Sequence, residues 1–181
     1  AILITGASGI IGLNLLFFFY KISREKKIKI TIDGTFNSYL FDFVKKYFNK
    51  NKKVNFIKID LTEQKIKNNK NYDLIFHCAG YGQPSKFLRY KTSTYKLNSN
   101  VLMDLSNKLK KNGRFIYMSS TEIYSGNTKL CTEESNGFTN TNHPRSTYIE
   151  SKKFGESFII NCIKNYVIFR VCLTYGVGAK L

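Results

Sequence analysis

A tyrosine and a lysine four residues apart, Tyr148 and Lys152, and a serine at the end of an apolar run, Ser120, are the groups in this chain best suited to chemistry. A free phenol has a pKa of about 10 and is a poor base near neutrality. An ammonium one helical turn away favours phenolate, so Lys152 is expected to bring Tyr148 down toward the working range. Ser120 can hydrogen-bond the same substrate oxygen. Such a set suits the oxidation of a hydroxyl, and oxidation needs an electron acceptor.

Thr5-Gly6-Ala7-Ser8-Gly9-Ile10-Ile11-Gly12 offers a place for a dinucleotide. Glycines at Gly6, Gly9 and Gly12 let the backbone approach a pyrophosphate, and a helix opening at Ile10 aims N–H groups at it. About 20 residues further on, an acidic residue at the end of the next strand is part of the same fingerprint. Asp33 is expected to fill that place, accepting hydrogen bonds from the adenosine ribose. Its charge would repel a 2′-phosphate, so NAD is expected rather than NADP. Asp60, at the tip of the third strand, is expected to reach the adenine amino group.

The elements that must position these groups alternate. Residues 1–5, 28–32, 54–59, 72–78, 114–118 and 167–171 read as strands, the second ending at Asp33-Gly34. Residues 10–21, 36–48, 95–109 and 148–163 read as helices, and the polar stretch 126–147 as a long loop of the kind that carries function. Strands buried on both faces and joined by helices argue an α/β fold with a doubly wound parallel sheet.

The chain has 181 residues and a formal charge of +17, enough length for one core and enough charge to suggest a polyanionic partner. The basic residues are mostly Lys, mixed with Asn through 45–53 and 65–71, with Arg confined to Arg24, Arg89, Arg114, Arg145 and Arg170. That pattern reads as solvated surface, because base and phosphate readers rely on Arg forks. No nucleic-acid partner is expected, although an NAD-binding module repurposed for nucleic acid or regulation is the alternative. Cys78, Cys131, Cys162 and Cys172 have neither paired nor ligand-like spacing, so no metal and a reduced, cytoplasmic setting are expected. The apolar run 10–20 is far short of the ~20 residues of a membrane span, so no membrane partner is expected either.

With these motifs in order, the chain resembles the extended short-chain dehydrogenase/reductases, the branch of NAD-dependent nucleotide-sugar epimerases and dehydratases. The glycine segment is similar to the branch's T-G-x-x-G-x-x-G. Met118-Ser119-Ser120-Thr121-Glu122-Ile123-Tyr124 is similar to its S-[ST]-x-E-[VI]-Y, and Tyr148-Ile149-Glu150-Ser151-Lys152 with Gly155-Glu156 to its Y-x-x-S-K-x-x-G-E. Arg170 with Tyr175-Gly176 resembles the R-x-x-x-x-Y-G that follows the sixth strand.

The resemblance implies a Rossmann fold. It implies that Gly6, Gly9, Ile10, Ile11, Gly12, Asp60, Leu61, Ala79, Gly80 and Asn98 line NAD, together with Tyr148 and Lys152. It implies that Tyr148 takes the proton of a sugar C4 hydroxyl while hydride passes to NAD, giving a 4-keto intermediate, with Ser120 polarising the C4 oxygen and Lys152 also holding the nicotinamide ribose. Glu122 points to members that remove a C5 proton or manage a carboxylate there, dehydratases and uronate decarboxylases. Thr121 stands where one dehydratase group has an aspartic acid, and epimerases stay in view. A nucleotide-sugar substrate, a homodimer with Phe154, Phe158 and Ile159 in its interface, and a C-terminal substrate domain missing from residues 1–181 are also implied.

Overall fold

The computed structural model describes residues 1–49 and 53–176. Six strands form one parallel sheet: β1 (Ile2–Thr5), β2 (Ile32–Phe36), β3 (Val54–Lys58), β4 (Tyr72–His77), β5 (Leu109–Ser120) and β6 (Tyr166–Val171). Their spatial order is β3-β2-β1-β4-β5-β6, the doubly wound arrangement, which reverses direction between β1 and β4. In such sheets ligands sit at that switch point, beyond the carboxyl ends of the strands.

The pleat of β1 divides the core. Ile2 and Ile4 pack with Leu13, Leu16, Ile32, Val44 and Phe76 on one face, beneath α1 (Ile10–Glu25) and α2 (Asp42–Phe48). Leu3 faces the opposite way, against Ile75, Leu102, Phe115, Tyr117 and Ile159. That second face carries α3 (Pro84–Arg89), α4 (Lys91–Asn98), α5 (Asn100–Ser106) and α6 (Ser146–Cys162). Ile159, expected at a dimer surface, belongs to this core, whereas Phe154 is 44% exposed and Phe158 only packs against the core's edge.

Several elements differ from the sequence reading, among them the helix read over 36–48, which begins only at Asp42 because Phe36 ends β2. The second strand starts at Ile32 rather than 28, because Ile32 pairs with Ile2 and Asp33 with Leu3. The alternation of Ile28, Ile30 and Ile32 resembles a strand but runs through a connection in which Lys27 turns left-handed at φ 52°. The long helix over 95–109 is α4 and α5, broken at Ser99 (φ −130°, ψ −88°), and β5 begins at Leu109, early enough to take in Gly113. The crossover from β3 to β4 carries no helix, and a cleft of about 470 Å³ opens between residues 61–71 and α5, where a crossover helix would pack.

Candidate active site

The glycine-rich turn joins β1 to α1 at the switch point. Gly6 sits at φ 68°, and a Cβ there would meet Ala79 Cα and N at 2.8 Å. A Cβ on Gly12 would stand 2.4 Å from Gly6 O, so α1 can lie this close to the turn only with glycine at that position. Gly9 is the N-cap of α1 and no side chain caps the helix, which leaves the first-turn N–H groups of Ile10 and Ile11 without a side-chain acceptor. This is the cradle a pyrophosphate needs.

Behind the turn, Ala79 N–H donates to Thr5 Oγ1 at 3.2 Å. His77 joins Thr5 Oγ1 through Nδ1 at 2.8 Å and the Leu97 carbonyl through Nε2 at 2.9 Å. The Leu97 carbonyl can only accept, so Nε2 carries the proton and Nδ1 receives the Thr5 hydroxyl. Burial, with the Lys152 charge adding to it, pushes His77 down to about 3 from an ordinary 6.5. An unfolded chain would bind this proton below pH 6.5 while the folded chain refuses it, so His77 withdraws stability as pH falls from 6.5 toward 3. The loss is expected to reach roughly 4 kcal/mol near pH 3. Urea unfolding at pH 7 and pH 4 should show it, and His77→Phe should flatten the difference.

Asp33 does not reach the cofactor end. It lies inside β2, 3% exposed, and its oxygens accept from Lys70 Nζ (2.9 and 3.1 Å), Tyr72 Oη (2.7 Å) and Asn55 Nδ2 (3.3 Å). Its side chain ties β2 to β3 and to the helix-free crossover. The groups that do stand at the strand ends are Asn37, just past β2, and Asp60, just past β3. Asn37 Nδ2 donates to Asp60 Oδ2 at 3.0 Å, while Thr62 donates to Oδ1 through its amide (2.9 Å) and hydroxyl (2.7 Å). Burial favours a neutral Asp60, but the Thr62 and Asn37 hydrogen bonds outweigh it and hold the carboxyl below its usual range. Leu61 packs against the core next to it. Asn37 was missed in the sequence because finding it depends on the register of β2.

At the end of β5, Ser120 Oγ accepts from Glu122 N–H at 3.2 Å, capping a single 3-10 turn over Thr121–Tyr124. Thr121 and Glu122 sit on that turn. Tyr148, in the first turn of α6, is 8% exposed and stacks on Phe87 of α3, ring centres 4.5 Å apart and planes at 13°. Burial pushes its phenol up; Ser120 and Arg145 pull it down, and Glu122 pushes it up again. The sequence paired this phenol with Lys152 alone, whereas Ser120, Arg145 and Glu122 also act on it. Lys152 is buried, donates to Met118 O at 2.6 Å, and lies 4.8 and 5.9 Å from the ring centres of Tyr117 and Tyr148. Burial lowers it to about 8. A Cβ on Gly80 would come within 3.9 Å of Lys152 Nζ, so the Ala79-Gly80 loop borders the ammonium and the two halves of the motif set meet there.

Asn98 is also placed differently from a cofactor contact. Its Nδ2 donates to Thr94 O (3.1 Å) and Ser151 Oγ (3.1 Å), and its Oδ1 accepts from Tyr117 Oη (2.9 Å). All of its polar atoms are spent on pinning the α4–α5 break to α6 and β5, which positions Tyr148 and Lys152 indirectly.

A model of the NAD-dependent epimerase/dehydratase family matches residues 2–180. The chain belongs to that family. Among solved structures, the UDP-glucuronic acid 4-epimerase of Bacillus cereus in complex with NAD superposes with a TM-score of 0.71 at 22% identity, covering 97% of this chain and 57% of that one. The dTDP-glucose 4,6-dehydratase of Streptomyces venezuelae, also with NAD, gives 0.70 at 16% identity, over 92% and 54%. The ADP-L-glycero-D-manno-heptose-6-epimerase of Helicobacter pylori gives 0.62 at 19%, over 92% and 52%. The chain thus spans little more than half the length of these structures. No curated protein matches it in sequence.

In this chain the residues around the motif also have defined work. Ser119 Oγ donates to Glu156 Oε1 within the core. Glu156 is gripped by Arg170 of β6 through Nε (3.1 and 3.2 Å) and Nη2 (2.8 Å), and Arg170 Nη1 reaches Tyr124 Oη, Glu133 O and Ser135 O. One guanidinium therefore holds α6, the 3-10 turn and the loop after it in register. Among the described residues no cluster of His, Cys, Asp and Glu suits a metal, and no helix is long and apolar enough to cross a membrane.

Proposed function

We propose that this chain is the NAD-holding part of an enzyme that epimerises, dehydrates or decarboxylates a nucleotide sugar through a 4-keto intermediate. The observation that carries the reading is that Tyr148 neighbours Ser120 at the carboxyl end of β5 while Lys152, on Met118 O, borders the Ala79-Gly80 loop that packs on the glycine-rich turn. Family membership disfavours the alternative of a module repurposed for nucleic acid.

The residues fit the cofactor. The cradle of Gly6, Gly9 and Gly12, with the N–H groups of Ile10 and Ile11, would take the pyrophosphate. Asp60, kept anionic by Thr62 and Asn37, would reach the adenine end with Leu61 beside it. Ala79, Gly80 and Lys152 would border the nicotinamide ribose. NAD, when bound, supplies reversible oxidation of the sugar carbinol.

The chain's own residues manage the protons and the position. Tyr148 takes the C4 hydroxyl proton, Ser120 holds the C4 oxygen, and Glu122 serves the C5 side of the ring. Thr121 offers a hydroxyl where a stronger acid would suit a dehydratase, which leaves epimerisation and decarboxylation in closer agreement with the site. The reaction class is accordingly isomerase or lyase. A homodimer through α4 and α6 is part of this reading, with Tyr95 and Phe154 exposed on those helices.

Calorimetric titration with NAD tests the cradle. The chain is expected to bind NAD, and Gly12→Ala to weaken binding by at least about tenfold, since the new methyl must displace the Gly6 carbonyl. Equal affinity for both proteins would contradict the placement.

A further inference from the structure

Tyr148 is enclosed by a ring of groups that includes two residues with no assigned role. Arg145 immediately precedes α6 and donates through Nη2 to Glu122 Oε1 at 2.6 Å. Its guanidinium carbon lies 5.4 Å from the ring centre of Phe87. Phe87 is buried and stacks on Tyr148. Glu122 in turn donates its N–H to Ser120 Oγ, which neighbours the phenol. The contacts therefore close on themselves: Tyr148, Phe87, Arg145, Glu122, Ser120 and back to Tyr148.

The charges within that ring pose a problem that Arg145 answers. Ionising Tyr148 would set a phenolate near the Glu122 carboxylate, and two anions in a partly buried site oppose each other. Tyr117 of β5, also near the phenol and itself pushed up by burial, adds no cation. The nearby cations are Lys152, behind the ring and turned to Met118 O, and Arg145, bonded directly to Glu122.

We propose that Arg145 is a positioning residue for proton transfer, neutralising Glu122 so that Tyr148 can ionise beside it, with Phe87 as the platform that holds the guanidinium and the phenol in register. The proposal rests on the reading of Tyr148 as the base. Arg145→Gln removes the counter-ion and leaves the Glu122 charge uncompensated, so the phenol becomes harder to ionise. Glu122→Gln acts in the opposite direction, and in the double variant the two effects cancel.

The test is the Tyr148 titration, followed by NMR of the whole chain labelled with 13Cζ-tyrosine, the resonance assigned by its loss in Tyr148→Phe. It needs no substrate and no turnover, so an inactive chain would count against the enzymatic reading and leave this test intact. Arg145→Gln is expected to move the midpoint upward by about one pH unit, Glu122→Gln to lower it, and Arg145→Gln with Glu122→Gln to return it near the wild-type value. Arg145→Lys, which keeps the charge, should stay close to wild type. Phe87→Leu should shift the midpoint in the direction of Arg145→Gln. An unchanged midpoint in Arg145→Gln overturns the proposal, and so does a double variant as far displaced as Arg145→Gln alone, because that marks damage to packing rather than charge.

Discussion

Tyr148→Phe is expected to lower kcat by about 10²- to 10⁴-fold while leaving NAD affinity and stability nearly unchanged. The substitution removes one oxygen. The ring stays stacked on Phe87 at the same face, and that stacking accounts for much of what Tyr148 contributes to packing. Neither Ser120 nor Lys152 depends on the phenol oxygen for its own place, since Ser120 Oγ accepts from Glu122 N–H and Lys152 donates to Met118 O. A chemical step that survives Tyr148→Phe at full rate would show that the proton leaves by another route. Turnover of nucleotide sugars, assayed with NAD present, is the readout.

Glu156→Ala is expected to destabilise the fold by about 3–5 kcal/mol. Arg170 and Glu156 are 16% and 6% exposed, so removing the carboxylate leaves a largely buried guanidinium without its anion. The same anion accepts from Ser119, and the same cation holds Tyr124 and the carbonyls of Glu133 and Ser135. The loss therefore spreads from α6 to β6 and to the loop beside the site. Glu156→Gln, which keeps an acceptor for Ser119 and Arg170, should cost less. Guanidinium denaturation of the three proteins gives the ordering, and a Glu156→Ala loss below about 1 kcal/mol would show that the pair is solvated in practice.

The alternation of elements was legible because β1, β4 and β6 are apolar runs with sharp ends and because Gly6, Gly9 and Gly12 punctuate the first turn. The candidate trio of Tyr148, Lys152 and Ser120 was legible as a grouping for a related reason: residues four apart on one helix share a face, and Ser120 ends an apolar strand. Register was not legible. Ile28, Ile30 and Ile32 alternate as well as the true strand does, and only pairing with Ile2 and Leu3 selects Ile32–Phe36. That four-residue slip moved Asp33 from a strand end to the strand interior and hid Asn37. The break at Ser99 was invisible because it is stabilised by tertiary hydrogen bonds from Asn98 to Ser151 and Tyr117, residues far away in sequence. The phenol's environment was misjudged for the same reason. Spacing alone pairs Tyr148 with Lys152, but Phe87, Glu122 and Arg145 reach Tyr148 from segments whose approach no periodicity encodes.

The most direct measurement is isotope-filtered NOE spectroscopy on the chain saturated with NAD. Contacts between the nicotinamide ring protons and the Tyr148 ring, assigned by their loss in a tyrosine-labelled Tyr148→Phe chain, are the expected result. NAD that saturates the chain while its nicotinamide protons make no contact with Tyr148 would contradict this site.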